Sequence, residues 1–478
     1  ASRANTSLRK VANLSSILLR RPLNLRTCQY AAGVVRHDAP MSDDRSTSVR
    51  RIMDSLRKAP HEPLHPPGPH DPADVAAMLR EIGSALLEVH QPTMLVSARL
   101  QEIAAQYTSE PVQVVVLPTV LIVQVGAVGY EVGRSAGTSL QLDLAGRVDE
   151  IAGQAAAGAI SPTDALDAVR RARAARPRFG PVTTTVGYAL ATLGFGLLVH
   201  PTWAALPGYL LLGLVVGAIV QIGRPFPSLN PVLPTVAAMV VTILATWFVA
   251  DTAQDGLLRV ITPALVALLP GISLTVSAME LASSQVISGA SRLVAALAQL
   301  GLLVFGVAQG LHFAHRLHPQ SPPPVMGAWS VYVATVVVGV GLYIYLSAPP
   351  ASLLWLIAAI GVAVIAQALA ATVLPASHTG FVGAVLEVPF AMWAARIKTS
   401  PPAIVMLLAA FRALVPGALS FESAAEAVTG GPGGLAALAV TGSAVLSIAL
   451  GILVGWSIFQ TIDSRFTRPR GAPEPVLV

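Results

Sequence analysis

The stretch ALLPGISLTVSAME at residues 267–280 recurs without a gap as ALVPGALSFESAAE at residues 413–426. The two copies lie 146 positions apart and agree at seven of fourteen places, among them Pro-Gly and a later Ser-Ala-x-Glu. Matches of alanine and leucine are common in an apolar chain, but a Pro-Gly followed at a fixed distance by an acid is not. The sequence therefore predicts an internal repeat with one copy of the motif in each half.

Both copies lie within long apolar runs, of which the chain contains ten beyond residue 180. Such runs can cross a hydrocarbon layer roughly 30 Å thick, because a helix rises about 1.5 Å per residue. The predicted spans are residues 183–199, 203–222, 231–250, 257–279, 289–311, 326–346, 351–374, 381–396, 402–421 and 434–459. These runs predict a mainly α-helical, polytopic membrane protein with about ten transmembrane helices.

The two motif copies fall in the fourth and ninth predicted spans, so each repeat contains five spans. An odd number of spans forces the two repeats into opposite orientations, and such inverted repeats are typical of secondary transporters. We expect the first repeat at residues 181–312, the second at residues 324–462, and a cytoplasmic tail at residues 463–478. Substrates of such proteins bind near the middle of the bilayer, where helices are broken.

The part of the chain before the first span has a different composition. Charged residues form only 12% of all 478, against about 25% in soluble domains, and most of them precede residue 181. Residues 1–72 are rich in Arg, Pro and His without an apolar period, which predicts a disordered tail. Cys28 is the single cysteine, so internal disulfides are excluded, and no pattern predicts a metal or cofactor site.

Residues 73–178 combine helical and strand-like periods, which predict a small cytoplasmic α+β domain. A first helix is expected after a cap at Asp71, and a second at LVSARLQEIAAQY. Apolar runs on either side of Pro118-Thr119 predict two strands, and GYEVGR a third. Two more helices should follow, the last one capped by Ser161 with Pro162 at its first position.

Positive charges beside the spans predict which side of the membrane each end occupies. Twelve lysines and arginines lie on the side of the N-terminal domain, and two lie on the other side. The twelve are Arg170, Arg171, Arg173, Arg176, Arg178, Arg224, Arg292, Arg396, Lys398, Arg465, Arg468 and Arg470, and the two are Arg259 and Arg316. The positive-inside rule then places both termini and the domain in the cytoplasm. The net charge of +6 therefore reflects topology and does not indicate nucleic-acid binding.

The two motif copies supply the candidate substrate path. Proline removes an amide donor and glycine accepts positive φ, so each Pro-Gly is expected to break its span. The candidate residues are Pro270, Gly271, Ser277, Glu280, Pro416, Gly417, Ser423 and Glu426. Each acid lies nine positions after its glycine, which places the two glutamates toward the entrances of the path. The alternatives are a simple kink or loop at Pro-Gly, and acids that sit in headgroup water.

Glu387 is the acid that the sequence places deepest in a span, within FVGAVLEVPFAMWAA. A carboxylate facing lipid is unfavourable, so this side chain should face a cavity or be protonated, and we predict that it carries a coupling proton. The alternative is that the eighth span is placed wrongly and Glu387 lies in a loop. Arg412 is then either its counter-charge or a side chain that extends outward to the interface.

Residues 73–462 resemble the threonine/serine exporter family of bacterial inner-membrane proteins. The residues that carry the resemblance are Leu117-Pro118-Thr119, Ile160-Ser161-Pro162, Pro270-Gly271, Glu280, Ser288-Gly289, Arg292-Leu293 and Pro416-Gly417. The resemblance implies a secondary active exporter of threonine and serine, driven by the proton gradient across the bacterial plasma membrane. Its implied partners are a small amino acid, protons and the lipid bilayer, and homo-oligomers are an open alternative.

Two other functions stay open from the sequence alone. The N-terminal domain contains Ser97, His90 and Asp143, the residue types of a hydrolase, although their spacing does not support a catalytic triad. A membrane scaffold without transport activity is the other alternative. We expect a transporter and not an enzyme, because the repeat and the buried acid need an explanation that neither alternative supplies.

Overall fold

The computed structural model describes residues 55–59, 61–63, 70–132, 140–249, 257–314, 324–414, 421–425 and 434–467. Its first elements form the segment that was predicted to be an α+β domain. They are α1 (Pro72–Glu88), α2 (Thr93–Tyr107), β1 (Val112–Val116), β2 (Leu121–Val125), β3 (Val128–Val132), α3 (Leu142–Ala156) and α4 (Pro162–Ala174). Each helix and strand that the sequence predicts for this segment is present.

Local chemistry explains where these elements begin. The side chain of Asp71 accepts a hydrogen bond from the amide of Ala73 at 2.9 Å, and Ser161 accepts one from the amide of Asp164 at 3.1 Å. Both residues are N-caps, and each is followed by proline at the first helical position. An N–H group at that position would have no acceptor within the helix, so proline costs no hydrogen bond there. The three strands form an antiparallel sheet in the order β1-β2-β3. Alternate residues of β2 are buried against the helices, which gives the segment its own apolar core.

The apolar half of the chain is helical throughout the residues that the structure describes. Its helices are α5 (Pro181–Val199), α6 (Leu206–Gly223), α7 (Leu233–Leu244), α8 (Leu257–Leu265), α9 (Gly271–Ala282), α10 (Val286–Ala314), α11 (Ser330–Tyr345), α12 (Leu353–Ala370), α13 (Ala376–Ala394), α14 (Ala403–Ala413) and α15 (Gly434–Thr467). A π-helical turn, Ala245–Val249, extends α7, and a 3-10 turn, Val266–Leu268, follows α8. Each of the ten predicted spans contains one of these helices or the broken pair α8–α9.

Five of these helices are long and apolar enough to cross a membrane, and α8 with α9 would make a sixth if the bent pair counts as one span. The five are α5, α6, α10, α12 and α15. Shorter apolar helices, α7 with its π-helical extension, α11 and α14, account for three further predicted spans. The total of ten spans therefore stays a prediction.

Helix packing recurs between the two predicted repeats. The first helices of the repeats, α5 and α11, pack against each other. Within each repeat the first helix contacts the second: α5 packs against α6, and α11 packs against α12. The third helix likewise contacts the last: α7 packs against α10, and α13 packs against α15. The same pattern of helix contacts thus occurs in both halves, while a repeat of five helical units stays a prediction. The inverted relation of the two repeats stays a prediction.

Contacts with the N-terminal segment sort the helix ends into two groups. The amide of Leu142 in α3 donates to the carbonyl of Leu346 after α11 at 2.9 Å, and Glu280 near the end of α9 bonds to Thr93 of α2. At the other end, the amide of Met326 before α11 donates to the carbonyl of Pro201 after α5 at 2.7 Å. The two ends of α11 thus belong to different groups, while the alternation of all helix ends and the side that faces the cytoplasm stay predictions.

Part of the predicted disordered tail is ordered against the loop between α13 and α14. The amide of Lys58 donates to the carbonyl of Arg396 at 2.8 Å, and the amide of Lys398 donates to the carbonyl of Leu56 at 2.9 Å. This two-sided backbone pairing is invisible to composition, because it depends on a partner more than three hundred residues away. The expectation of disorder across residues 1–72 therefore does not describe residues 56–58.

We predict that Gly341→Ala destabilises the protein at the contact between α5 and α11. A Cβ atom at Gly341 would lie only 2.6 Å from the Cα atom of Ala191. Because this distance is too short for two carbon atoms that are not bonded, one of the two helices must move. Overpacking of this kind costs about 1–3 kcal/mol and should lower the thermal unfolding temperature of the purified protein.

Gly301→Ala in α10 is the matched control, because a Cβ at Gly301 meets no atom within 4 Å. This variant should unfold at the same temperature as the parent or slightly above it, since alanine favours the helix. Equal unfolding temperatures for the two variants would show that α5 and α11 do not pack as described.

Candidate functional site

The first Pro-Gly breaks its helix, as the sequence predicts. After the 3-10 turn Val266–Leu268, Leu269 adopts an extended conformation, and α9 begins at Gly271. The two helical pieces are bent by 66°. Pro270 has no amide hydrogen and its ring clashes with the preceding turn, so a continuous helix cannot pass through this position.

Two long polar side chains satisfy backbone carbonyls at the break. Arg412 of α14 donates from Nη1 to the carbonyl of Ala267 at 3.2 Å, and Gln299 of α10 donates from Nε2 to the carbonyl of Leu268 at 2.8 Å. Carbonyls at a helix end need such partners where water is scarce. The break is therefore held open by side chains that come from both predicted repeats.

A cavity of about 190 Å³ lies at this break. It is lined by residues 266–273 together with Leu140, His90, Gln299, Phe411 and Arg412. Gly271, Ile272 and Ser273 form the first turn of α9, and the first hydrogen bond of that helix runs from Leu274 N to the carbonyl of Pro270 at 2.9 Å. Amides in a first helical turn have no partner within the helix, so the wall offers donors to a bound group.

The cavity has a positive character. Arg412 contributes a guanidinium whose Nε is buried and without a hydrogen-bond partner among the described residues. No acidic side chain is among the described residues that line the cavity. A carboxylate fits this combination of a cation and a helix N-terminus. A metal cation would find no carboxylate ligand among the described residues of this wall.

Glu280 occupies the opposite end of α9 and is completely buried. Its Oε1 accepts hydrogen bonds from both the amide and the hydroxyl of Thr93 at 2.9 Å, and its Oε2 lies 3.2 Å from Nε of Arg292. Thr93 is the first residue of α2, so Glu280 caps a helix of the N-terminal domain. The carboxylate is buried at the contact between the domain and α9, so it lines no open entrance in this conformation, and its role in the path stays a prediction.

Glu387 is buried within α13, as the sequence predicts, and does not lie in a loop. Neither of its carboxylate oxygens has a hydrogen-bond partner in the part of the chain that is described. The suggestion that Arg412 is its counter-charge is wrong, since that guanidinium faces the break at Ala267. The next residue, Val388, lines an apolar cavity of about 80 Å³, and Ile272 and Phe411 belong to the walls of both cavities.

Of the other candidate residues, Ser277 and Ser423 are buried and hydrogen-bonded within the helices, and the rest lie outside the described residues. Ser277 is buried, and its hydroxyl donates to the carbonyl of Leu274 in its own helix at 2.7 Å. Ser423 lies 2.6 Å from the hydroxyl of Thr441 in α15. Pro416, Gly417 and Glu426 lie outside the described residues, so the second Pro-Gly break stays a prediction.

Sequence reasoning missed several residues that the structure brings to the break or to the domain contact. Gln299 could have been found as an amide inside an apolar run, which is unusual in a span. His90 and Thr93 carried no such signal, because each lies at a helix end of a polar domain. Arg292 was recognised as a topological charge and not as the partner of Glu280.

The positions of Ser97, His90 and Asp143 in the structure do not support the hydrolase alternative. Asp143 pairs with Arg147 at 2.8 Å, and His90 faces the cavity at the break. Within the described part of the chain, no hydrogen bond joins Ser97, His90 and Asp143. These three residues therefore do not form a catalytic triad.

Residues 77–314 match the model of a protein family described as "Putative threonine/serine exporter". The match runs from α1 to the last residue of α10, and so contains the domain, the Pro270 break, Glu280 and Arg292. No curated protein and no solved structure matches the chain. The match and the apolar helices together identify a multi-pass membrane protein of a transporter family.

We predict that Glu280→Gln weakens the contact between domain and spans more than Thr93→Val does. The first change leaves Arg292 buried without its acid, which costs about 3–5 kcal/mol, whereas the second removes one hydrogen bond to a charged group, about 1.5–3 kcal/mol. Amide hydrogen exchange at the start of α2 should accelerate in both variants, and most in Glu280→Gln.

Thr119→Val, at an exposed position in the loop between β1 and β2, is the matched control. It should leave exchange in α2 unchanged. If Glu280→Gln exchanged no faster than this control, the ion pair with Arg292 would not hold the domain in place.

Proposed function

We propose that this chain, which belongs to the threonine/serine exporter family through residues 77–314, exports threonine and serine from a bacterial cytoplasm in exchange for protons. The observation that carries the proposal is the polar cavity at the Pro270 break, which lies between apolar helices and inside the matched segment. A broken helix offers backbone groups to a solute, whereas an intact helix offers none.

The size of the cavity suits a small solute. One water molecule needs about 10–15 Å³ of such space, and the cavity at the break provides about 190 Å³. A small amino acid occupies several water volumes, so this space is large enough to hold one. The substrate is therefore proposed to be a single amino acid with a short side chain.

The charges of an amino acid find complementary groups at the two helix ends. Its carboxylate would bind between the first-turn amides of α9 and the guanidinium of Arg412. Its ammonium would bind backbone carbonyls at the end of the 3-10 turn after α8, where the helix dipole is negative. Discontinuous helices in secondary transporters bind substrates through such paired ends.

Glu387 is proposed to carry the coupled proton. An ionised carboxylate without a hydrogen-bond partner in an apolar surrounding is strongly destabilised, so the described arrangement favours the neutral form. Ionisation then requires water or a new partner, and both can arrive only if the surrounding helices move. The shared wall residues Ile272 and Phe411 connect this region to the cavity at the break.

The plasma membrane with both termini in the cytoplasm is the proposed setting. In that orientation the domain covers the cytoplasmic side of the break, because Glu280 and Thr93 join α9 to α2. Substrate entry from the cytoplasm would then require this contact to open. Export would follow when the opposite side opens, in the alternating manner of transporters built from inverted repeats.

We predict that Arg412→Gln impairs threonine transport by weakening carboxylate binding. Hydrogen bonds to charged groups contribute about 1.5–3 kcal/mol, so the half-saturating threonine concentration should rise by roughly 10- to 100-fold. Counterflow of labelled threonine in vesicles containing the purified protein measures this change. Arg412→Lys, which keeps the charge but not the planar fork, should fall between the parent and Arg412→Gln.

Arg259→Gln is the matched control, because Arg259 is an exposed arginine of the other half of the broken span. It should transport threonine with the parent's half-saturating concentration. Unchanged transport by Arg412→Gln at equal protein level would exclude the cavity at the break as the substrate site. Absence of threonine transport by the parent protein would refute the function itself.

We predict that Glu387→Gln separates exchange from uphill export. The amide keeps the shape of the side chain and cannot be ionised, so threonine counterflow should persist while accumulation driven by an imposed proton gradient disappears. Both activities can be measured in the same vesicle preparation. Glu102→Gln, at an exposed acid of α2, is the control and should retain both. Full uphill transport by Glu387→Gln would exclude Glu387 as the coupling residue.

A further inference from the structure

The turn after α1 projects His90 out of the N-terminal domain toward the spans. This residue has a positive φ of 62°, which a residue with a Cβ adopts at a cost of about 1 kcal/mol or more. The conformation is fixed by hydrogen bonds from His90 N to the carbonyl of Leu87 at 3.1 Å and from Gln91 N to the carbonyl of Leu86 at 3.2 Å. Glycine would relieve the strain, so the presence of an imidazole at this position calls for an explanation.

The imidazole lies where the two cavities meet. His90 lines both the polar cavity at the break and the neighbouring apolar cavity, together with Ile272 and Phe411. Its Nδ1 is buried and has no hydrogen-bond partner among the residues that the structure describes. A buried polar atom without a partner costs about 1–3 kcal/mol, which a bound solute would recover.

The ring is uncharged at physiological pH. Burial, with smaller contributions from the guanidinium groups of Arg292 and Arg412, lowers the pKa of His90 to about 4, and a backbone hydrogen bond with Glu88 opposes them only in part. A neutral imidazole presents one donor and one acceptor. Arg412, in the same wall, offers charged donors that suit a carboxylate.

A hydroxyl group can donate to an unprotonated ring nitrogen or accept from a protonated one, so it can pair with Nδ1 in either tautomer of the neutral imidazole. We propose that His90 binds the side-chain hydroxyl of the substrate and thereby selects threonine and serine over amino acids of similar size that lack a hydroxyl. This proposal rests on the function proposed above, and it assigns the cytoplasmic domain a direct part in substrate recognition. Valine is the informative competitor, because it replaces the hydroxyl of threonine by a methyl group of similar volume.

The size of the expected preference follows from the hydrogen bonds involved. Bound valine would leave the buried Nδ1 without a hydrogen-bond partner, which costs about 1–3 kcal/mol of binding free energy. The parent protein should therefore transport threonine in preference to valine by roughly 10- to 100-fold. His90→Leu should abolish most of this preference, because the apolar side chain favours the methyl group. His90→Asn should retain much of it, since asparagine keeps a donor and an acceptor and tolerates positive φ.

The test uses vesicles that contain the full-length protein and compares initial counterflow rates of labelled threonine and labelled valine. His378→Leu, at an exposed histidine of α13, is the matched control and should keep the parent's ratio of the two rates. We expect the threonine-to-valine ratio to fall at least tenfold in His90→Leu, with valine transport maintained or increased. Thermal unfolding of each variant checks that the strained turn still folds.

Equal losses of threonine and valine transport in His90→Leu would overturn the proposal, because a structural role reduces both rates together. The function proposed above would survive that result, since the parent would still transport threonine. A parent protein without threonine transport would instead refute that function, and the proposal with it. A preserved ratio in a well-folded, active His90→Leu protein would also overturn the proposal.

Discussion

Backbone groups inside an apolar layer must find partners within the protein, and this constraint governs the structure around Pro270. The proline ends one helix and leaves carbonyls that Arg412 and Gln299 satisfy from two other helices. Because Pro270 interrupts the helix, two long polar side chains at defined positions in α14 and α10 are needed to hydrogen-bond these carbonyls. These side chains keep the two helical pieces apart, and the space between them is the cavity. Its polar wall follows directly from the partners that the break demands.

The short helix α9 connects that cavity to the N-terminal domain. Its first turn lines the cavity, and near its last turn Glu280 caps α2 through Thr93 while pairing with Arg292. Twelve residues span only about 18 Å, so α9 behaves as a short rigid rod between two polar contacts. The contact of Glu280 with Thr93 therefore joins the domain to the helix that begins at the break. The buried charges of Glu280 and Arg292 make partial separation unfavourable, which favours two discrete arrangements over a continuum.

The sequence predicted the elements that depend on local chemistry and missed the contacts that depend on tertiary structure. Caps at Asp71 and Ser161, the strands beside Pro118 and the break at Pro270 follow from residue types within a few positions. The burial of Glu387 followed from the length of its apolar run. By contrast, nothing near Glu280 indicates that its partner is Thr93, 187 residues earlier. His90 is hidden for the same reason, because its environment consists of helices that follow it by about 180 residues or more.

The two buried glutamates differ in a way that decides which of them can exchange a proton. Glu280 accepts two hydrogen bonds and faces a guanidinium, so protonating it would leave Arg292 buried without a counter-charge and would weaken the cap on α2. Glu387 has no such partner among the described residues, and its neutral form disturbs nothing around it. The proposed exchange of a proton is therefore compatible with the fold at Glu387 and would disrupt it at Glu280. Two buried carboxylates thus lie in the same bundle, and they are distinguished by their hydrogen-bond partners and not by depth.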